Sequence, residues 1–482
     1  ERYPQAGTPN ASVRLGVVSA QGGPTKWMRA GNSPDKLLAR VAWLPDSSAV
    51  ALEVFPREQN ALDLLFCNPV DGAVTTVIHE QSKTWINVAD NLFILKSRPE
   101  FLWTSERSGF RHIYRYSNSG ELLGQLTKGD WQVSGISAVN EPNRQIYYTS
   151  SETSPLEAQL YTVNFDGGER ARLTSPGSDH GIQASPNGSY YIDSSSSLNR
   201  PSESVLCNAQ GKQIALLRKA DMRALEDYEF RSPEIVPVKT SDGVTLYAKL
   251  IKPARFESGR KYPAIVHVYG GPGVQEVRNT WSGIDWDQAL ASSGYVVWQL
   301  DNRGSSGRGH AFEEPIYHEL GKQEVADQRL GVEYLVKLGF VDPARIGITG
   351  WSYGGYMTIH SLLLAPGLFK VGVAGAPVTD WHNYDTIYTE RYMGLPDENR
   401  EGYDRSSNVE NAAKLRGRLL ILHNFEDDNV LFQNTLQMTN ALETSGKPYF
   451  LQLYPQKAHG VSGTFRKPLY KAMTDFFDGN LK

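Results

Sequence analysis

Two rhythms of apolar and polar residues divide the chain. Up to about residue 230, short aromatic and β-branched runs such as "FLWTS", "HIYRY" and "QIYYTS" are broken every few residues by Ser, Asn, Asp, Gly or Pro, the signature of strands joined by tight turns. The turns recur. Gly72 in "PVDGAV", Gly120 in "SNSGEL", Gly167 in "NFDGGE" and Gly211 in "NAQGKQ" stand 48, 47 and 44 residues apart. A second turn signal, Pro45, Pro142 and Pro186, has separations of 97 and 44, about two periods and one. Before three of the glycines, "FLWTSERSGFRHIYRY", "IYYTSSETSPLEAQLYTV" and "YYIDSSSSLNRPSESVLC" share one layout: a β run, a Ser/Thr-rich turn, a second β run. Units of roughly 40 to 50 residues with four short strands each predict propeller blades, about four to five of them over residues 1–230. A small β-sandwich is the alternative, but it has no reason to repeat at this period.

From residue 231 the rhythm changes. Nearly continuous Val/Ile/Leu runs at 264–270, 295–300, 345–350, 370–375, 418–423 and 449–454 alternate with helical patterns at 324–339 and 432–446. Such alternation predicts a mostly parallel, doubly wound sheet buried on both faces over residues 231–482. The last segment, "KPLYKAMTDFFDGN", sets Leu469, Met473, Phe476 and Phe477 at helical spacing.

Composition removes several classes of function. A net charge of −4 and a pI near 6.3 provide no basic surface for nucleic acid or an anionic membrane, and no apolar run is long enough to span a bilayer. Cys67 and Cys207 both sit in β-type runs, too few for a disulfide framework and in no metal-binding spacing. No metal or cofactor is expected. The chain opens on "ERYPQAGTPNAS" without Met. Because an open arc of blades leaves strand edges unpaired, a preceding segment of the same propeller is expected to supply the remaining blades.

The chemistry lies in the second half. Gly350-Trp351-Ser352-Tyr353-Gly354 reads G-x-S-x-G between a strand and a helix, the context of a nucleophile elbow in an α/β-hydrolase sheet. A serine hydroxyl needs a base, and this fold orders the partners Ser, acid, His along the chain. Past the strand at 418–423, "HNFEDDNV" offers Glu426, Asp427 and Asp428, and local chemistry does not choose among them; past the last strand, "QKAHGVSG" offers His459. Structural roles are expected for His360, His382 and His423. An oxyanion needs two donors: the backbone N–H of Tyr353, and a group on the glycine-rich loop "HVYGGPGVQ", where Tyr269 carries a phenol.

Together "GWSYGGYMT", "VYGGPG", "DNRGSSGRG", "APVTDWHNYDTIYTERYMGLP", "EDDNV" and "AHG" resemble the dipeptidyl peptidase IV branch of the prolyl oligopeptidase family. "RYPQAGTPNASVRLGVV" resembles a stretch partway through that family's propeller. The resemblance implies a serine exopeptidase releasing N-terminal X-Pro or X-Ala dipeptides through an acyl-enzyme. It makes Ser352 the nucleophile, His459 the base, Asp427 the orienting acid, and the Tyr269 hydroxyl an oxyanion donor beside the Tyr353 amide. Tyr353, Val378, Trp381, Tyr384, Tyr388 and Val430 would wall a pocket for a pyrrolidine ring, with Asn429 holding the peptide carbonyl and Arg391 supporting the region. A homodimer and a periplasmic or extracellular location are further implications. The alternatives are an oligopeptidase or acylaminoacyl peptidase of the same superfamily, or a non-catalytic binding protein. One departure stands out: family exopeptidases hold the substrate ammonium with a propeller glutamate pair, yet the only Glu-Glu here is Glu313-Glu314, in the hydrolase half. The pair and the family's propeller arginine are expected in the preceding segment.

Overall fold

The computed structural model describes residues 3–31, 33–226, 228, 230–455 and 458–482. Four consecutive antiparallel four-stranded blades occupy the first half. The first holds Lys36–Trp43, Val50–Pro56, Ala61–Cys67 and Val74–Gln81, and the second Leu92–Ile94, Glu100–Ser105, His112–Ser117 and Leu122–Gln125. The third holds Val133–Asn140, Gln145–Ser150, Gln159–Asn164 and Ala171–Arg172, and the fourth Asp179–Ala184, Tyr190–Ser197, Arg200–Asn208 and Gln213–Arg218. A two-stranded sheet, Gly16–Val17 with Lys26–Trp27, precedes them.

The recurring glycines have a common job. Gly72, Gly120, Gly167 and Gly211 each join the third strand of a blade to its fourth, with φ of 76°, 89°, 79° and 84°, a region that side chains disfavour. Each also presses on the unit before it. An added Cβ would lie 2.5 Å from the Trp27 carbonyl oxygen at Gly72, 2.4 Å from that of Val77 at Gly120, 3.3 Å from that of Leu126 at Gly167 and 3.1 Å from that of Leu173 at Gly211. The period read from the sequence is therefore the blade-to-blade contact itself. Pro45, Pro142 and Pro186 mark the first-to-second strand turns. Between blades lie aromatic layers, such as Phe55, Phe101, Trp103, Tyr114 and Tyr116.

The second half is built on one eight-stranded sheet: β1 (Glu234–Lys239), β2 (Thr245–Ile251), β3 (Tyr262–His267), β4 (Val296–Asp301), β5 (Val341–Trp351), β6 (Val371–Gly375), β7 (Arg418–Asn424) and β8 (Phe450–Tyr454). Their spatial order is 1-2-4-3-5-6-7-8, antiparallel from β1 to β4 and parallel from there on. The hairpin β1–β2 adds two strands beyond the six apolar runs of the sequence reading. Helices α1 (Trp286–Ser292), α2 (Lys322–Lys337), α3 (Tyr353–Leu364), α4 (Thr386–Met393), α5 (Gln433–Thr444) and α6 (Arg466–Leu481) surround it. Alternate residues of one strand face opposite layers. Leu419 and Ile421 pack with α2, α3 and α5, whereas Leu420 and Leu422 pack with α1 and α6. Leu469, Met473, Phe477 and Leu481 of α6 are buried on this sheet, each such side chain contributing roughly 2 kcal/mol. Phe476 instead meets Phe450 of the edge strand, ring centroids 5.2 Å apart.

The two halves are bonded together at several points. Arg278 pairs with Asp179 at 2.6 Å, and the Asn279 amide donates to the Leu156 carbonyl at 2.9 Å. Cys67 and Cys207 are free and buried.

Candidate active site

Strand β5 runs directly into Ser352, whose φ of 62° and ψ of −118° lie where a non-glycine residue is strained; α3 begins at the next residue. The glycines on either side have a specific collision partner. A Cβ at Gly350 or at Gly354 would lie 2.2 Å from the Val268 carbonyl oxygen in either case. The elbow is thus pressed onto the loop that follows β3, the loop that carries Tyr269. The Ser352 amide donates to the Gly375 carbonyl at 2.9 Å, fixing the turn from the other side.

Beyond β7, Asp427 turns inward while Glu426 and Asp428 stay exposed. Its Oδ1 accepts the amides of Asn429 (2.9 Å) and Val430 (3.0 Å), and its Oδ2 accepts His459 Nδ1–H at 2.8 Å. Burial pushes this carboxyl upward, but hydrogen bonds from His423 and His459, the charge of His459 and the Asn429 amide outweigh it and hold the group down at about 2. It is a carboxylate at neutral pH. His423 Nε2–H donates to the Val430 carbonyl at 2.9 Å and lies 3.3 Å from Asp427 Oδ2; Thr435 fixes its other nitrogen at 2.7 Å. His423 thus takes the structural role expected of it, packed beside Asp427.

The His459 loop is tied down on both sides. Trp351 Nε1–H donates to the His459 carbonyl at 2.9 Å, and Asn424 Nδ2 donates to the carbonyls of Ala458 (2.6 Å) and Gly460 (3.1 Å). Trp351 immediately precedes Ser352, so imidazole and hydroxyl are fastened to one strand end. His459 Nε2 is buried and has no partner among the described residues; it makes no hydrogen bond to the Ser352 hydroxyl in this structure. Catalytic hydrogen bonds of this kind commonly close only around substrate.

Tyr269 packs near Tyr353 with ring centroids 6.0 Å apart. Burial and then the charge of Glu276 push its phenol up to about 12, keeping it a donor. Tyr353, Val378, Trp381 and Val430 are buried in one cluster, with Tyr384 and Tyr388 packed against it. Trp381 lies 5.3 Å from Tyr353 and 6.1 Å from Tyr388, and the Tyr384 hydroxyl donates to Asn429 Oδ1 at 2.6 Å. Arg391 donates from Nε to Gln59 of the first blade at 2.8 Å, so it braces α4 against the propeller.

Several contributors have no local sequence signal. Residues 3–10 run along α4: Ala6 N–H donates to the Tyr384 carbonyl and Thr386 N–H to the Pro4 carbonyl, both at 3.0 Å. The Tyr3 hydroxyl donates to the Asn429 carbonyl at 3.0 Å. Buried Glu390 gathers three segments, accepting the Gly7 amide at 2.8 Å and a two-pronged Arg57 guanidinium at 2.7 Å on each oxygen. Glu324 accepts the Tyr353 hydroxyl at 2.7 Å. By contrast, His360 bonds Asn408 and His382 bonds Asp380. Glu313 lies apart at the boundary between the halves, where burial and then Glu106 raise it to about 8.

The Prolyl oligopeptidase family model matches residues 282–482, and that for the Dipeptidyl peptidase IV (DPP IV) N-terminal region matches residues 1–202. Dipeptidyl peptidase 8 of Homo sapiens is 33% identical over 95% of this chain and 60% of its own length. Dipeptidyl peptidase 4 of Trichophyton equinum is 32% identical over 95% and 62%. The chain therefore spans about 60% of these curated relatives. Among solved structures, Porphyromonas gingivalis dipeptidyl peptidase 4 superposes with a TM-score of 0.95 at 33% identity, over 100% of this chain and 69% of that one. A putative dipeptidyl aminopeptidase IV from Bacteroides ovatus gives 0.94 at 33% identity, over 100% and 71%. With an elbow serine, a buried aspartate and a histidine brought to one sheet rim under a bladed domain, and with both halves matched, the chain belongs to the prolyl oligopeptidase family of serine peptidases, in its dipeptidyl peptidase IV branch.

Proposed function

We propose that the chain is a serine dipeptidyl peptidase that removes X-Pro or X-Ala from peptide N-termini. Ser352 Oγ attacks the carbonyl carbon of the second residue while His459 Nε2 takes its proton; Asp427 holds the imidazole from Nδ1 and stabilises the imidazolium. The tetrahedral oxyanion is received by the Tyr353 N–H and the Tyr269 hydroxyl. His459 returns the proton to the leaving amine as the C–N bond breaks, and the acyl-enzyme is hydrolysed by a water that His459 activates in turn. Tyr353, Val378, Trp381, Tyr384, Tyr388 and Val430 enclose the proline ring, Asn429 holds the preceding carbonyl, and Arg391 steadies α4. The observation that carries the reading is the His459–Asp427 bond of 2.8 Å, with His459 Nε2 unpartnered among the described residues and the His459 carbonyl held by Trp351, the neighbour of the strained Ser352.

A fluorophosphonate probe should label Ser352 in the folded protein and fail in Ser352→Ala; an unlabelled wild type would return the chain to the class of binding proteins. Mass spectrometry of products from Gly-Pro and acetyl-Gly-Pro peptides, run on this chain with and without the preceding propeller segment expected to carry the glutamate pair, tests the dipeptidyl step. With that segment, cleavage of the free peptide alone is expected, and equal cleavage of the blocked one would make the enzyme an oligopeptidase or acylaminoacyl peptidase. The chain is further proposed to pair as a homodimer and to work in the periplasm or cell exterior, to be checked by sedimentation and by fractionation. No helix among the described residues is long and apolar enough to cross a membrane.

A further inference from the structure

Glu324 is a buried acid whose placement calls for a physical cause. It lies in the first turn of α2 and is 0% exposed. Its Oε1 accepts the Gly321 amide at 2.9 Å and the Tyr353 hydroxyl at 2.7 Å, while Oε2 has no partner among the described residues. No Lys, Arg or His pairs with it among those residues. A glutamate at this helix position ordinarily reaches back to the first amides from a solvated surface; complete burial without a cation destabilises the fold. Capping alone would be satisfied at the surface, so the reason for burial lies with the other partner.

That partner directly follows the nucleophile. The backbone N–H of Tyr353 is an oxyanion donor in the proposed reaction, its ring walls the pocket, and its hydroxyl ends on Glu324. The ring is clamped along its length. A Cβ on Gly271 would come 2.6 Å from Tyr353 Cγ, and Trp381 and Tyr356 each stand 5.3 Å away. Because a tyrosine ring is rigid, a shift at its hydroxyl is transmitted to the Cα and amide at its other end.

We propose that Glu324 is a positioning residue for the oxyanion site: through the Tyr353 hydroxyl it fixes the N–H that receives the developing charge and the ring that faces the substrate. This rests on the Ser352 peptidase reading, so the readout is chosen to separate the two. Three quantities are measured: the rate constant for fluorophosphonate labelling of Ser352, the kcat and KM for Gly-Pro cleavage, and the melting temperature.

Glu324→Leu keeps the volume and removes the acceptor. It should slow labelling and kcat by about 10- to 100-fold, as loss of oxyanion alignment does, with KM changed less than about threefold and the melting temperature shifted only modestly, since relief of the buried acid is offset by the Gly321 N–H and Tyr353 hydroxyl left without an acceptor. Glu324→Gln keeps one oxygen facing both donors and should stay within about threefold of wild type. Wild-type labelling by Glu324→Leu, or equal slowing in Glu324→Gln, overturns the proposal. Should Glu324→Leu fail to fold, Tyr353→Phe decides, since it leaves Glu324 and its bond to Gly321 in place. Slowing of about tenfold is expected there, and an unchanged rate overturns the proposal. If wild type itself is not labelled, the peptidase reading falls and takes this role with it; labelled wild type with indifferent variants removes only the role of Glu324.

Discussion

Two acids, Asp427 bonded to His459 and Glu324 bonded to the Tyr353 hydroxyl, both lie out of solvent, and their surroundings drive them apart. Asp427 is 4% exposed and has donors on both oxygens: two amides on Oδ1, with His459 bonding Oδ2 and His423 close by. Glu324 is 0% exposed and has two donors crowded on one oxygen and, among the described residues, none on the other. One is held down at about 2 and the other pushed up to about 7. For Glu324 burial dominates, with the Gly321 and Tyr353 hydrogen bonds opposing it. Glu324 is the more deeply enclosed and burial prevails there, whereas at Asp427 the donors on both oxygens and the charge of His459 outweigh burial. The difference suits the two proposed tasks: in the proposed reaction Asp427 remains an anion beside a histidine that becomes cationic, whereas Glu324 has only to accept a hydrogen bond.

The same isosteric change made at both sites gives the largest effect and the sharpest contrast. Asp427→Asn places an NH₂ donor within reach of His459 Nδ1–H and favours the wrong tautomer, so kcat should fall on the order of 10⁴-fold with the fold retained. Glu324→Gln, as argued above, should leave kcat nearly unchanged. Rates for both follow from steady-state assays and fluorophosphonate labelling. Similar losses in the two variants would break the comparison, because each acid would then be acting through its charge.

Stability against pH is the next test, and the two groups have opposite signs. Glu324 rises from its unfolded value of 4.5 to about 7 in the folded chain. The folded state therefore binds the extra proton, and stability is lost as pH climbs from about 4.5 to 7, by on the order of 3 kcal/mol. Glu324→Gln cannot lose that proton. Its melting temperature should exceed wild type by more at pH 8 than at pH 5, and a constant difference would show that the carboxyl is better solvated than its burial implies. Asp427 falls from 3.8 to about 2, so its contribution, on the order of 2 kcal/mol, is present above pH 3.8 and disappears only as pH drops through 2.

The contrast also bears on what the chain discloses before folding. Ser352 and His459 lie at strand ends, where a change of rhythm announces the position, whereas for the acid the same signal stops at Glu426, Asp427 and Asp428 and the family resemblance alone names Asp427; Gly72 to Gly211 repeat because each packs on the unit before it. Local pattern encodes such features. Glu324 touches Tyr353 from 29 positions away, on a helix whose periodicity assigns Glu324 no partner. Arg57 reaches Glu390 across 333 positions, and an arginine in a blade turn reads as a solvated charge. Hairpin β1–β2 shows no continuous apolar run because it extends the sheet antiparallel, with polar residues such as Lys239, Thr245 and Lys249 among its apolar ones. What remained hidden is pairing between distant side chains, which has no period to display.

The smallest expected effect probes how firmly the Asp427 side is held. Tyr3 donates to the Asn429 carbonyl, and its ring meets that of Tyr384 edge-on at 6.4 Å. Asn429 in turn gives its amide to Asp427 and accepts the Tyr384 hydroxyl. Tyr3→Phe removes one partly exposed hydrogen bond, worth about 0.5–1 kcal/mol, and leaves the ring contact. Since Asp427 keeps its bonds to Asn429, Val430 and His459, the backbone at 429 has little freedom to move. A two- to fivefold rise in KM at unchanged kcat is expected, on the order of the lost bond. A drop in kcat beyond about tenfold would mean that the loss had passed through Asn429 to the carboxylate, and that the Asp427 side is held by as few supports as Glu324.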